Sequence, residues 1–247
     1  MDQGRQRAVV CLSGGMDSCV TAALAARDYD AWALHCSYGQ RTEERELRAA
    51  REVAEALGFK DFLHLRLDLF RRIGGSALTD ASIDIPKAPP AEAIGAEIPV
   101  TYVPFRNAHF LSAAVSWAEV LGARSIFIGA VEQDSSGYPD CRPAYYEAFQ
   151  HLIETGTRDR DIVVSTPLIH MQKKEIVALG LELAAPLHLT WSCYSGSEAA
   201  CGVCESCVLR LRAFAQAGVT DPIRYASGPE TPTSFQEHAV PTSPRHP

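Results

Sequence analysis

The chain lacks any apolar run approaching the roughly 18 residues that a membrane-spanning helix needs. It also lacks an excess of positive charge: 23 Lys and Arg stand against 30 Asp and Glu in 247 residues, a formal net charge of −7. No basic footprint is offered to a phosphate backbone or an anionic lipid surface, so neither nucleic acid nor membrane is expected as a partner. The run Ala8 to Leu12 after Arg5 and Arg7 is too brief for a signal peptide, which predicts a cytoplasmic protein. Internal repeats and low-complexity segments are missing too. With 47% hydrophobic and 21% charged residues, disorder, collagen and coiled coil are excluded. A chain of this length buries about 70% of its unfolded surface without cross-links.

Eight cysteines are present, and four of them fall within Cys193 to Cys207. In a small exported chain an even count suggests disulfides, whereas clustering in a reducing compartment points to metal. The spacing Cys193-x7-Cys201-x2-Cys204-x2-Cys207 lets four thiolates converge on one ion at about 2.3 Å. Zinc held by all four is the first reading. An iron–sulfur cluster is its rival, although the Cys-Pro continuation common in such runs is absent. Four protein ligands leave no open position, so the metal is expected to be structural, one per chain, closing one wall of the substrate pocket.

Apolar runs of strand length alternate with amphipathic runs of helix length. Strands are predicted at 8–12, 31–36, 62–67, 125–128 and 162–165, and helices at 17–27, 42–57, 106–121, 143–154 and 172–179, with Gly58, Gly122 and Gly180 as stops. This implies an α/β fold, a doubly wound, mostly parallel five-stranded sheet, with a C-terminal four-cysteine zinc-binding segment. Residues 71–101, punctuated by Gly and Pro, read as a long excursion or lid. One domain is expected over 1–220, including the segment 193–207, followed by a strap and loose tail over 221–247.

The first strand ends in Leu12-Ser13-Gly14-Gly15-Met16-Asp17-Ser18 and a helix follows at once. Backbone amides at such a turn face the mouth of the sheet, where anions bind. Neither a Walker A Gly-Lys-Ser/Thr nor Gly-x-Gly-x-x-Gly is present. A loop gripping pyrophosphate through amides and the hydroxyls of Ser13 and Ser18 suits AMP transfer better than γ-phosphoryl transfer. Asp17 is either a Mg²⁺ ligand or a favourable first-turn charge. A second polar loop, Gln133 to Arg142, leaves the carboxyl end of the fourth strand, the edge where open parallel sheets bind ligands.

Ser13 to Ser18 resembles the PP-loop, Ser-Gly-Gly-x-Asp-Ser, of the adenylating N-type ATP pyrophosphatases, with their adenine-nucleotide α-hydrolase-like fold. Further motifs narrow this: Tyr38-Gly39-Gln40-Arg41, Val103-Pro104-Phe105-Arg106-Asn107, Ser136 to Arg142, Thr166-Pro167-Leu168, and Ser192-Cys193-Tyr194 leading to Cys201-Gly-x-Cys204-x-x-Cys207. Together they resemble the QueC family of 7-cyano-7-deazaguanine synthases of queuosine biosynthesis, over residues 9 to about 212. Phe105 stands where that family often has Gly, and Thr42 where His often follows the Tyr-Gly-Gln-Arg motif.

The resemblance implies a ligase that uses Mg-ATP to convert 7-carboxy-7-deazaguanine and ammonia into 7-cyano-7-deazaguanine, releasing AMP and pyrophosphate. A homodimer is expected by the same resemblance. Asp17, Lys173, Arg142 and Arg106 are the catalytic candidates, the cations opposing phosphate charge. Leu12 to Ser18 are the ATP contacts. Tyr38, Gln40, Arg41, Asn107, Asp134, Ser136, Gly137, Tyr138, Asp140 and Tyr194 are the substrate contacts. Among these, Asp134 and Asp140 are expected to read the guanine-like donor edge and Tyr138 or Tyr194 to stack on the base. The eight histidines show no metal spacing and read as incidental.

Overall fold

A computed structural model of the protein describes residues 5–87, 97–132 and 137–226. The predicted contacts Asp134 and Ser136, and the tail from 227 onward, lie outside the described residues.

In chain order the elements are β1 (Arg7–Cys11), α1 (Met16–Asp28), β2 (Asp30–Ser37), α2 (Glu43–Ala56), β3 (Asp61–Arg66), α3 (Leu69–Ile73), α4 (Arg106–Leu121), β4 (Ser125–Ile128), α5 (Pro143–Gly156), β5 (Val163–Ser165), α6 (Lys173–Glu182) and α7 (Glu205–Gln216). The five strands form one sheet in the order β3-β2-β1-β4-β5, and every neighbouring pair is parallel.

Alternate residues of the central strand go to opposite layers, which is why its sequence is apolar throughout. Ala8 and Val10 pack with α1, α2, α6 and α7 through residues such as Val20, Val53, Ile176 and Phe214. Val9 and Cys11 pack with α4 and α5 through Leu111, Ala114, Phe149 and Ile153. The chain leaves β1 toward β2 on one side and β4 lies on the other, so the order reverses beside the β1 to α1 turn. A crevice outside the carboxyl ends of the strands results at that point.

Several predicted features shift. Helix α6 does not stop at Gly180 but runs through it to Glu182. A Cβ there would lie 2.9 Å from Val20 Cγ2 and 3.2 Å from Leu187 Cδ1. The glycine admits close packing of α6 on α1, at the roughly 1 kcal/mol cost of a mid-helix glycine. Helices α3 and α7 were not expected from the sequence. The 71–101 stretch begins on α3 and then turns inward: Ser76, Ala77 and Leu78 are buried. Ala77 N–H donates to Val100 O at 2.8 Å, and Arg41 N–H donates to Leu78 O at 3.0 Å. Lys87 pairs with Cys204 in an isolated antiparallel bridge.

The first residues of the expected strap are docked. Arg210 on α7 forms a fully buried pair with Asp221, 2.7 Å from Nε to Oδ2. The Tyr225 hydroxyl donates to the same carboxylate, and Ala226 N–H donates to Ala200 O.

Candidate active site and metal centre

The β1 to α1 turn is built for close approach. Gly14 has φ +89°, and a Cβ on it would lie 2.5 Å from Glu46 O and 3.0 Å from Ala50 N of α2. Gly129, just after β4, plays the same part from the other side, since a Cβ there would come 2.9 Å from the Asp17 backbone. The two glycines let the start of α1, with its unpaired amides, sink between neighbours. Ser13 and Ser18 then close the turn on itself. Ser13 Oγ donates to Ser18 Oγ at 3.0 Å, Ser18 Oγ donates to Gly15 O at 2.9 Å, and Gly15 N–H donates to Ser13 Oγ at 3.2 Å.

Asp17 meets Lys173 across the crevice, with Nζ 2.6 Å from Oδ2. The Lys173 side chain is only 13% exposed, so α6 delivers an ammonium to the β1 to α1 turn from 156 residues away. The second oxygen, Asp17 Oδ1, is buried without a hydrogen-bond partner. A buried carboxylate oxygen left open in this way fits a divalent cation.

A cavity of about 270 Å³ opens beside the turn, and a neighbouring one of about 190 Å³ shares much of its wall. Leu12, Ser13, Gly15, Met16, Asp17 and Ser18 line the first. Lys173 lines the second. Arg106, Tyr138 and Tyr194 line both. Tyr38 and Asn107 line the first.

Arg106 is the hinge of the polar wall. Its Nη1 donates to the Tyr38 hydroxyl at 2.7 Å, and its guanidinium lies 4.9 Å from the Tyr38 ring and 5.8 Å from that of Tyr138. Arg106 Nε is buried without a partner, a donor available to a bound anion. Burial pushes the Tyr38 and Tyr194 phenols up, so both stay neutral.

Other predicted contacts sit elsewhere. Arg142 is exposed at the start of α5 and does not line either cavity. Arg41 is exposed and donates to the carbonyls of Asp80 and Ile83, holding the 71–101 stretch. Asp140 is buried; its Oδ2 accepts from the Asn107 N–H at 3.1 Å and its carbonyl from Asn107 Nδ2 at 2.9 Å. It serves the amino end of α4, a favourable place for a carboxylate, and is absent from both cavity walls. Gly137 neighbours Tyr138 but is not in the wall either. Gln40 is buried beneath the wall, its Oε1 accepting from Tyr38 N–H.

Among the wall residues that sequence reasoning missed, two carry titratable groups of note. Glu46, one of three acids in the first turn of α2, lines the first cavity. Its Oε1 accepts from the Thr42 hydroxyl at 2.7 Å and its Oε2 from Gln40 Nε2 at 3.0 Å. Burial pushes its carboxyl up to about 7, against the lowering pull of Thr42, Gln40 and Arg106. His35 also lines this cavity. Its Nδ1 lies 2.9 Å from Leu12 O; a carbonyl only accepts, so Nδ1 carries the proton. Burial lowers its pKa to about 4, and the ring is neutral. The Cys36 and Cys141 thiols, also in the wall, are raised by burial to about 12 and 11 and are not nucleophiles at neutral pH. His35 read as incidental within the 31–36 strand, and no motif distinguished Glu46 from its acidic neighbours.

The four cysteines of the C-terminal window come together, their sulfurs all within 4.8 Å of one another. Sulfurs around a tetrahedral ion at about 2.3 Å would stand roughly 3.8 Å apart, and Cys201 Sγ and Cys207 Sγ are 3.9 Å apart. Hydrogen bonds from the Cys204 and Cys207 thiols, and from the amides of Cys201 and Ser195, hold the Cys193 thiol well below its ordinary value. The same sharing pushes Cys204 and Cys207 up. Four sulfurs this close together fit one metal cation. Cys193 O lies 3.2 Å from the Thr42 hydroxyl, and Trp191 N–H donates to Gly14 O at 2.8 Å. The four-cysteine segment and the β1 to α1 turn are thus directly stitched together.

A family described as queuosine biosynthesis protein QueC matches residues 7–218. The chain belongs to that family. Among similar QueC proteins, one from Acidobacterium capsulatum is 78% identical over 227 residues, covering 92% of this chain and 99% of its own. One from Koribacter versatilis is 64% identical, covering 89% and 93%, and one from Chlorobium phaeobacteroides is 55% identical, covering 91% and 99%. All three carry the name 7-cyano-7-deazaguanine synthase, so these QueC relatives are enzymes. Among the described residues no helix is long and apolar enough to cross a membrane.

Proposed function

We propose that this QueC protein is an ATP-dependent ligase that makes 7-cyano-7-deazaguanine from 7-carboxy-7-deazaguanine and ammonia. The observation that carries the reading is one crevice holding, side by side, the Ser13 to Ser18 turn, the Asp17 and Lys173 pair, and an aromatic wall with Arg106. A phosphate grip and a flat, partly polar slot in one crevice are what adenylation of an aromatic acid requires.

A carboxylate is a poor electrophile until one oxygen attacks the α-phosphate of ATP. That step makes an acyl adenylate and expels pyrophosphate. The amides of the Ser13 to Ser18 turn receive the leaving group, and Lys173 and Arg106 oppose the charge that develops there. Asp17, through its free Oδ1, is the residue to hold the Mg²⁺ of Mg-ATP, an ion that neutralises phosphate charge. Ammonia then displaces AMP to give the amide. Adenylation of the amide oxygen by a second ATP, followed by loss of AMP and two protons, leaves the nitrile. The four-cysteine cluster supports the wall through Trp191 and Tyr194 and takes no part in bond making. Zinc as its metal, a homodimer and a cytoplasmic location belong to the same reading. The rings of Tyr138 and Tyr194 are the base-stacking candidates. Arg142 and Arg41, outside the wall, have no assigned role in the chemistry.

Incubation of the purified protein with Mg-ATP, ammonium and 7-carboxy-7-deazaguanine is expected to give nitrile, AMP and pyrophosphate by mass spectrometry. AMP without nitrile would keep the adenylation and remove the acceptor; neither product from folded, metal-loaded protein would overturn the reading.

A further inference from the structure

Among the described residues the first cavity's wall holds two acids, Asp17 and Glu46. Asp17 is committed to Lys173 beside the phosphate turn. Glu46 has no cation in direct hydrogen-bond contact: its partners are the neutral Thr42 and Gln40, while Arg106 donates to Tyr38. Each Glu46 oxygen accepts one of these bonds and has room for another. A carboxylate in a cavity wall with two free lone-pair sites is an acceptor awaiting two donors.

Its position relative to the chemistry matters. Lys173 lines the second cavity and Glu46 only the first, with Arg106, Tyr138 and Tyr194 common to both. A flat bicycle with its reacting carboxylate toward Lys173 would cross the shared aromatic wall and present its far edge to Glu46. In a 7-deazaguanine that far edge carries N1–H and the exocyclic amine, two adjacent donors that match one carboxylate in bidentate fashion. Of the aspartates suggested by sequence, Asp140 serves α4 and is not in the wall, and Asp134 lies outside the described residues.

We propose that Glu46 is the specificity residue that reads the N1–H and amino edge of the deazapurine. This rests on the ligase reading above. Gln40 and Thr42 are then positioning residues that aim the carboxylate, and a hypoxanthine-type analogue, lacking the exocyclic amine, loses one of the two bonds.

The test compares 7-carboxy-7-deazaguanine with that amine-free analogue on wild type and on Glu46→Gln, following nitrile formation. A hydrogen bond to a charged acceptor implies a wild-type preference in kcat/KM of roughly 10- to 100-fold for the amine-bearing substrate. In Glu46→Gln the preference should fall to within about threefold of unity, with KM for the deazaguanine raised by roughly the same 10- to 100-fold and KM for ATP unchanged. Equal use of both substrates by wild type overturns the assignment without any variant. So does a folded Glu46→Gln that keeps the preference, or one whose defect lies in KM for ammonium. Wild type that makes no nitrile from either substrate overturns the ligase reading and this assignment together.

Discussion

Phe105 is the residue whose replacement has the least ordinary expected outcome. It precedes α4 with φ +59° and ψ +23°, in the left-handed region, and its side chain is 59% exposed. For a residue with a Cβ this conformation costs about 1 to 2 kcal/mol, and for glycine almost nothing. Glycine in turn loses roughly 0.5 to 1 kcal/mol through the freedom of the unfolded chain. Phe105→Gly should therefore be more stable than Phe105→Ala by about 0.5 to 1 kcal/mol. That is the reverse of the usual order within helices, where alanine leads by about 1 kcal/mol. Both variants lose the edge contacts of the ring with His109 and Tyr145. Removing the buried part of a phenyl ring accounts for about 1 kcal/mol, so Phe105→Gly should fall close to wild type and Phe105→Ala clearly below it. Urea unfolding with equal m-values reads the order directly. An alanine variant as stable as the glycine variant would refute the conformational reasoning.

The remaining expectations concern the site. Ser13→Ala and Asp17→Ala should each abolish ATP-dependent pyrophosphate release while thermal unfolding stays cooperative; full activity in both would remove the turn from the mechanism. Metal analysis of purified protein should find about one zinc per chain, with chelation lowering Tm; iron with visible absorption would assign the four cysteines to a cluster. Gly129→Ala should cut activity at least tenfold by pushing the start of α1 out of place, since its Cβ would stand 2.9 Å from the Asp17 backbone; unchanged kinetics would show the approach to be slack. Glu46 carries a pH dependence. As an acid whose folded pKa is raised from 4.5 to about 7, it imposes no penalty below the unfolded value, and stability falls as pH rises through the folded one. Glu46→Gln should thus gain on wild type by on the order of 1 to 2 kcal/mol between pH 5 and pH 8 in chemical denaturation; a constant difference across that range would contradict the shift.

Much of the fold was legible because its signals are local. Alternation of apolar runs marked all five strands, and α4 was bounded by Arg106 and Gly122 as found. Gly180 misled because one residue type serves two ends: it stops helices, and it also lets two helices touch, and only the position of Val20 tells which. Helix α7 was hidden because its first turn carries Cys207 of the four-cysteine spacing, with Cys204 directly before Glu205, so metal-ligand spacing overlies the helical pattern there. The metal cluster was readable because its ligands lie close in sequence. Glu46 was not, because its meaning depends on Tyr38, Arg106 and Tyr194 arriving from three other segments. Asp140 shows the converse, a motif residue whose Oδ2 holds the amino end of α4 and which is absent from the cavity wall.

The 2.8 Å bond from Trp191 N–H to Gly14 O carries a thermodynamic consequence. One residue, Ser192, separates Trp191 from Cys193, whose own carbonyl meets Thr42, so the four-cysteine segment and the β1 to α1 turn share one continuous length of backbone. Any free energy by which the ion sharpens the phosphate turn must return, by reciprocity, as tighter retention of the ion when nucleotide is bound. An ion at the four cysteines and a nucleotide at the turn would then each tighten the other's hold without touching.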